Sequence, residues 1–251
     1  GPRRGERPQP WSVRLPDGGR RCGGQPLARG WSGWREGMKG GVLALALVLV
    51  VGWALVRAGA FGWRGMGPGV AAGALAVVPV ALLGAVAHEV LFRGVVLGVF
   101  LRALRAPAAI GLAGLLYALV VFMVPPDNVA VADPEGRLAG FVVLVGRWRE
   151  LADPWLMAGG LLPWLAFGCV LGFARWRTRS LWLPLGVHAG WALGNGLFLL
   201  LVVPLNQPDP IARVLVGASL SHGLIPVAVV ALAGMVIHFL TPVPDAGYEP
   251  Y

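Results

Sequence analysis

The sequence predicts an all-α fold, a polytopic transmembrane helical bundle of about six spans with an additional interfacial or re-entrant helix. Of its 251 residues, 57% are hydrophobic and 13% are charged, whereas a soluble domain usually has about 25% charged residues. The apolar residues form blocks of about 20, long enough to cross a hydrocarbon layer of about 30 Å. Backbone groups in lipid need partners within their own segment, and the blocks lack the alternation of barrel strands, so the spans are predicted to be helices.

The chain is expected to begin with a cytoplasmic tail, residues 1–40, that is basic and rich in Gly, Pro, Arg and Trp. Nine of the 21 Lys and Arg residues precede Gly40. This distribution is typical of topology signals and of contacts with anionic lipids, so the net charge of +9 does not indicate nucleic-acid binding. The tail is either a flexible extension or a segment that folds onto a partner or onto the membrane surface.

Residues 41–240 form the predicted transmembrane domain, and a short acidic tail follows at 241–251. The apolar stretch 95–101 is too short to span, so it is expected to continue the second helix or to lie at the interface. A surface helix is expected around 138–151. The predicted spans are approximately 41–56, 67–87, 108–124, 155–174, 181–203 and 222–240.

The charges of the connections predict an orientation. In a six-span topology, the basic tail and the arginine-rich turns at 102–105 and 175–179 lie on one side, and the mildly acidic 125–154 connection lies on the other. Lys and Arg accumulate on the cytoplasmic side of membranes, so both termini are predicted to be cytoplasmic. The Ala, Gly, Arg and Pro bias suggests a bacterium, and therefore its cytoplasmic (inner) membrane. Three arginines oppose this trend, namely Arg57, Arg64 and Arg213.

Charged side chains inside the apolar blocks mark a candidate site. An unpaired charge in lipid costs at least about 2.5 kcal/mol. Glu89 and Arg93 are four residues apart, so on a helix they share a face and can neutralise each other. The pair either locks helices together or orients a neighbouring catalytic group.

Histidines are the other ionisable residues of the apolar segments. No two of them have the i,i+4 spacing of a helical metal site, and Cys22 and Cys169 lack metal-ligand spacing, so no metal site and no disulfide are predicted. His188 lies mid-block among small residues that allow helices to approach closely, and Asn195 follows about two turns along. The four histidines are His88, His188, His222 and His238.

Three motifs in this region resemble those of the CAAX prenyl endopeptidase and bacteriocin-processing (CPBP) intramembrane protease family. Residues 88–93, HEVLFR, resemble its Glu-Glu-x-x-x-Arg motif. Residues 117–121, YALVV, resemble Phe-x-x-x-His, and residues 188–192, HAGWA, resemble His-x-x-x-Asn. Because order and spacing match over about 80–196, the chain is identified as a member of this family. The resemblance implies a helical membrane fold built for intramembrane peptide hydrolysis.

The resemblance also implies roles for four positions. In the family, the first glutamate and the second-motif histidine activate a water, and the third-motif histidine and asparagine stabilise the oxyanion. Here those positions are occupied by His88, Val121, His188 and Ala192. Three of the four are therefore replaced, while the second glutamate of the first motif and its arginine are kept as Glu89 and Arg93.

These observations leave three hypotheses. The leading one is a member of the family with lost or altered protease activity that acts as a scaffold or accessory subunit of a membrane complex. The second is an active endopeptidase that uses His88, Glu89 and His188, with Arg93 beside them and Asn195 as a substitute donor. The third is a subunit that binds a pigment or haem through membrane histidines. The expected partners are the lipid bilayer and other membrane protein subunits, without nucleic acid.

Overall fold

The predicted all-α membrane bundle is confirmed in a computed structural model of the chain. The tails predicted at either end fall largely outside the described ranges, so those predictions stay predictions. The structure describes residues 30–124, 135–150, 152–205, 210–217 and 219–241.

The described chain consists of helices and one short pair of antiparallel strands. The helices are α1 (Gly30–Arg57), α2 (Val70–His88), α3 (Leu97–Ala103), α4 (Ala106–Met123), α5 (Ala139–Glu150), α6 (Pro154–Leu156), α7 (Leu162–Thr178), α8 (Trp182–Leu201), α9 (Pro210–Val216) and α10 (Leu224–Leu240). Wider π-helical turns join α2 to α3 over Glu89–Val96 and α6 to α7 over Met157–Leu161. Such turns are frequent at functional sites. The strands β1 (Phe61–Trp63) and β2 (Val202–Pro204) tie the α1–α2 connection to the end of α8.

Five helical stretches are long and apolar enough to cross a membrane by length and composition. The second of them, Val70–Ala103, runs without interruption for 34 residues, so the apolar stretch after the Glu89–Arg93 motif continues the second helix. The sixth predicted span corresponds to α10, a shorter apolar helix of 17 residues. The predicted surface helix around 138–151 is present as α5.

Helix α1 begins at Gly30, well before the predicted start of the first span at residue 41. Hydropathy marks where a helix enters lipid and gives no information about where the helix itself begins. Residues 35–39 include Arg, Glu, Met and Lys, which are good helix formers, so the helix extends into the segment that composition assigned to the tail.

Helices α1 and α8 approach closely because glycines face each other across their contact. A Cβ added at Gly186 would meet the Gly37 carbonyl, and one added at Gly190 would meet the Gly41 carbonyl. Small residues permit this backbone approach in membrane bundles. The packing fixes α8 against α1, while another face of α8 presents His188 toward α2.

Helices α4 and α7 pack in a similar way. A Cβ added at Gly168 would lie 2.9 Å from the Gly114 backbone, and one added at Gly114 would lie 2.8 Å from Cys169 Sγ. The close approach exposes the Gly168 carbonyl to side chains from the neighbouring long helix. That carbonyl becomes part of the candidate site.

Candidate functional site

Glu89 and Arg93 form an ion pair inside the bundle. Glu89 is 1% exposed and Arg93 is 3% exposed, and Arg93 Nη1 lies 3.2 Å from Glu89 Oε1. Arg93 also donates a hydrogen bond from Nη2 to the Gly168 carbonyl at 3.1 Å. Its guanidinium carbon lies 4.4 Å from the centre of the Tyr117 ring. The buried cation is therefore held by a carboxylate, a carbonyl and an aromatic face from three different helical segments.

His188 is bound to the same carboxylate oxygen. Its Nδ1 atom lies 2.7 Å from Glu89 Oε1. An ionised carboxylate accepts hydrogen bonds and cannot donate them, so Nδ1 carries the proton in this pair. In a neutral imidazole, the other ring nitrogen, Nε2, is then the acceptor. The contact orients the His188 ring in the manner of a carboxylate–imidazole pair.

His88 lies against His188. The two imidazole rings stack with their centroids 5.5 Å apart and their planes 10° apart. The Tyr117 ring meets both of them edge-on, with centroids 5.8 Å from His88 and 6.1 Å from His188. The structure thus brings together His88, Glu89, Arg93 and His188, four of the five site residues predicted from the sequence.

Three buried polar atoms of this cluster have no hydrogen-bond partner within the described part of the chain. They are His88 Nδ1, Glu89 Oε2 and Arg93 Nη1, and the Arg93 Nη1 contact with Glu89 is ionic without hydrogen-bond geometry. An unsatisfied buried polar group costs about 1–3 kcal/mol. Their concentration at one point is typical of a functional site.

The histidine pair closes one end of a groove between α2 and α8. The groove has a volume of about 380 Å³ and follows α2 for about 18 Å at 1.5 Å per residue. Val80 on its rim is 72% exposed, so the groove opens sideways, toward the lipid. Its lining is formed by Ala76, Val77, Val80, Ala81, Gly84, Ala85, His88, His188, Ala192 and Gly196.

The dimensions of the groove suit an extended hydrocarbon chain. Its volume of about 380 Å³ lies along about 18 Å of helix α2, and its walls are apolar apart from the two histidines.

Two of the three replaced family positions contribute no polar group to the site. Ala192 lies one turn after His188 and lines the groove with a methyl group. Val121 lies one turn after Tyr117 and packs against the hydrophobic core. Neither side chain can donate or accept a hydrogen bond.

Asn195, the predicted substitute donor, has a different contact in the structure. Its Oδ1 accepts a hydrogen bond from the Leu220 backbone N–H at 3.1 Å, so its amide braces the turn before α10. The two remaining histidines also lie away from the cluster. His222 Nδ1 is 2.8 Å from Ser219 Oγ, and the His238 ring stacks on Phe173.

Sequence reasoning missed two groups that hold the cluster. Tyr117 had entered only as the counterpart of a motif phenylalanine, whereas its fully buried ring contacts Arg93 and both histidines. Gly168 contributes through its backbone carbonyl, which no side-chain motif reports. The glycines of successive spans, Gly114 and Gly168, were the available signal for this close helix contact.

Comparison with known proteins identifies the family. The sequence model described as "Type II CAAX prenyl endopeptidase Rce1-like" matches residues 70–194, from the start of α2 into α8. No significant match was found among curated proteins or solved structures. The matched region contains the buried ion pair, both stacked histidines and all of the groove lining except Gly196. Through residues 70–194, the chain therefore belongs to the Rce1-like family of type II CAAX prenyl endopeptidases.

Proposed function

We propose that this integral membrane protein has lost the glutamate-dependent proteolysis of its family and binds a lipid-modified segment as an accessory subunit of a membrane complex. One observation carries the proposal. Among the described residues that line the groove, His88 and His188 are the only ionisable side chains, whereas the Glu89 carboxylate is buried behind them against Arg93.

The position of the carboxylate argues against the chemistry of the family. A general base has to lie within hydrogen-bond reach of the water that it activates, and Glu89 is not part of the groove lining. The removal of one oxyanion donor typically lowers kcat by about 10²–10³, and Ala192 stands where the family has asparagine. The base and donor positions of the family are thus both altered in the lining of the same groove.

The groove itself supports retained binding. Its length suits a hydrocarbon chain, its walls are apolar apart from the histidine pair, and it opens toward lipid. The family to which residues 70–194 belong is described by its action on prenylated proteins. We therefore expect a prenyl or similar chain in the groove, with the attached peptide near the histidine pair.

Photocrosslinking tests the binding site. A prenylated peptide with a photoreactive group in its lipid chain should label the α2 and α8 walls of the full-length protein in nanodiscs. Gly84→Leu should reduce the labelling severalfold, because Gly84 lines the groove and has open space at its Cβ. Gly98→Leu is the matched control, since Gly98 also has open space but lies outside the groove. Equal labelling of both variants would overturn the proposed site.

The accessory role is tested by affinity purification from native membranes in mild detergent, followed by mass spectrometry. Stoichiometric recovery of a second membrane protein, lost on Gly84→Leu or on another surface substitution that leaves the fold intact, would support the role. Purification of the chain without any stoichiometric partner would count against it.

The carboxylate–imidazole contact favours a second candidate, an active endopeptidase with a rearranged site. Glu89 Oε1 orients the His188 ring at 2.7 Å, as acids orient catalytic histidines in other hydrolases, and His88 stands where the family has its first glutamate. This candidate predicts peptide cleavage that His88→Ala and His188→Ala each abolish. Unchanged cleavage in either variant would reject it.

We further propose that the two ends of the bundle domain face the cytoplasm of a bacterial cell. The six apolar helices return the chain to its starting side, where Arg102, Arg105 and the arginines at the end of α7 also lie. Lys and Arg enrichment marks the cytoplasmic side. Reporter fusions at either end should be active only as cytoplasmic reporters. A periplasmic signal from either fusion would refute the orientation.

Pigment or haem binding stays a prediction that rests on the membrane histidines. Within the described residues, no group of three or more His, Cys, Asp or Glu is placed to hold a metal ion. The visible absorption spectrum of the purified protein tests this hypothesis: a Soret or pigment band lost on His188→Ala would support it, and a colourless sample would reject it.

A further inference from the structure

Helix α5 is fixed to the end of α4 by one arginine. Arg147 donates hydrogen bonds from Nε and Nη2 to the Phe122 carbonyl, at 3.1 and 2.6 Å. Its guanidinium carbon also lies 4.4 Å from the centre of the Phe122 ring. A carbonyl in the last turn of a helix lacks an intrahelical partner, and a cation there complements the helix dipole. The contact therefore holds α5 at the level where α4 ends.

This contact determines which face of α5 points toward the bundle. Residues 139, 143 and 147 are spaced four apart and are half-buried, so they form the inner face. The opposite side bears four large apolar side chains, each more than half exposed, together with Arg149 near the end of the helix. The four are Leu138, Phe141, Val142 and Trp148.

We propose that α5 is an interfacial helix, embedded at the headgroup level of the bilayer with this apolar face among the upper acyl chains. Exposed apolar and aromatic side chains on a helix that ends in charged residues are typical of this location. This depth of α5 in the bilayer agrees with the contact between Arg147 and Phe122, because Met123 ends the membrane-crossing helix to which α5 is fixed.

The surroundings of α5 favour lipid over a protein partner as the occupant. Exposed apolar side chains run along α4 to its end, including Leu112, Leu116, Val120 and Val124, and Arg147 fixes α5 beside that end. The segment 135–153 contains three arginines and three acidic residues. Its charges balance, so the proposal commits to a zwitterionic bilayer, and anionic lipid should not be required.

Site-directed spin labelling of the full-length chain tests the proposal. Cys22→Ser and Cys169→Ala provide a background for Phe141→Cys on the apolar face and for Gly140→Cys, an exposed position turned away from it. Collision of each label with oxygen, which concentrates in lipid, is compared with collision with a water-soluble nickel chelate. The protein is reconstituted in phosphatidylcholine nanodiscs, and Leu138→Cys repeats the measurement on the same face.

We expect an oxygen-to-nickel collision ratio severalfold higher at positions 141 and 138 than at 140, with little change when anionic lipid is added. Similar ratios at all three positions would place the apolar face in water and overturn the proposal. Shielding of positions 141 and 138 from both reagents would also overturn it, because the face would then be covered by protein.

Discussion

Nδ1 of His188 lies 2.7 Å from Oε1 of Glu89, although the two residues are 99 positions apart in the sequence. The contact joins α8 to the π-helical turn after α2, and Arg93 extends it to α4 and α7 through Tyr117 and the Gly168 carbonyl. The network that orients the His188 imidazole therefore also holds the helices together.

Loss of the Glu89 carboxylate is expected to destabilise the fold strongly. In Glu89→Ala, the Arg93 guanidinium stays buried without its counter-charge, and breaking a buried pair in this way costs about 3–5 kcal/mol. Unfolding of the purified protein in detergent measures the effect. Leu83→Ala, at a side chain that is 71% exposed, is the control. Equal unfolding midpoints for the two variants would show that the pair does not stabilise the bundle.

Arginine cannot be replaced by lysine at position 93 without loss. A lysine keeps the charge near Glu89, but it lacks the planar group that bonds the Gly168 carbonyl while it lies on the Tyr117 ring. We expect Arg93→Lys to lower the free energy of unfolding by about 1–3 kcal/mol. The exposed Arg57 provides the control substitution Arg57→Lys, which should be neutral. A neutral Arg93→Lys would contradict the assigned contacts.

Close packing of α1 and α8 predicts a position-specific effect of alanine. In Gly190→Ala, the new Cβ would meet the Gly41 carbonyl, so the helices have to separate, at a cost of about 1–3 kcal/mol for overpacking. The same change at Gly98, where a Cβ meets open space, should be tolerated. The comparison of the two unfolding midpoints checks the prediction, and tolerance of alanine at both positions would refute it.

His222 lies outside the membrane-spanning helices, and its surroundings predict that the stability of the protein depends on pH. Although His222 is exposed at the surface, the surrounding protein desolvates its charged form and the Arg147 charge opposes protonation, so the pKa of His222 is lowered below its usual 6.5. The unfolded chain then takes up this proton at a higher pH than the folded chain does. The free energy of unfolding is therefore highest above the usual histidine pKa. It declines as the pH falls toward the lower pKa that His222 has in the folded chain.

Unfolding midpoints of the wild type and of His222→Asn, measured from about pH 8 to about pH 5, check this dependence. In His222→Asn, the unfolding midpoint should fall less than in the wild type as the pH drops below the usual histidine pKa. Superimposable pH profiles would show that His222 titrates alike in the folded and unfolded chains.

Hydropathy was sufficient to predict the fold class because lipid leaves helices as the simplest way to satisfy the backbone. It did not place the first residue of α1, since helix formation continues beyond the apolar block. For the stretch after Arg93, sequence left two alternatives open, and the structure shows a continuous Val70–Ala103 helix. At 1.5 Å per residue, that helix is roughly 50 Å long, more than a hydrocarbon layer requires.

Local spacing predicted the Glu89–Arg93 pair, and the motif order brought His88 and His188 into consideration. For Asn195, the same reasoning did not predict the contact that the side chain makes. Seven residues after His188, it shares roughly the same helix face, but it lies about 10 Å further along the axis and bonds Leu220 instead. Which carbonyl or amide a side chain reaches across the bundle is set by helix packing, and spacing within one helix does not contain that information.

The most direct test of the account is turnover of a prenylated CAAX peptide by the purified full-length protein in proteoliposomes, followed by mass spectrometry. A family member with both glutamates of the first motif serves as the positive control. We expect the wild-type chain to bind the peptide and to leave it intact. Cleavage that Glu89→Gln or His188→Ala abolishes, in variants shown to be folded, would contradict it.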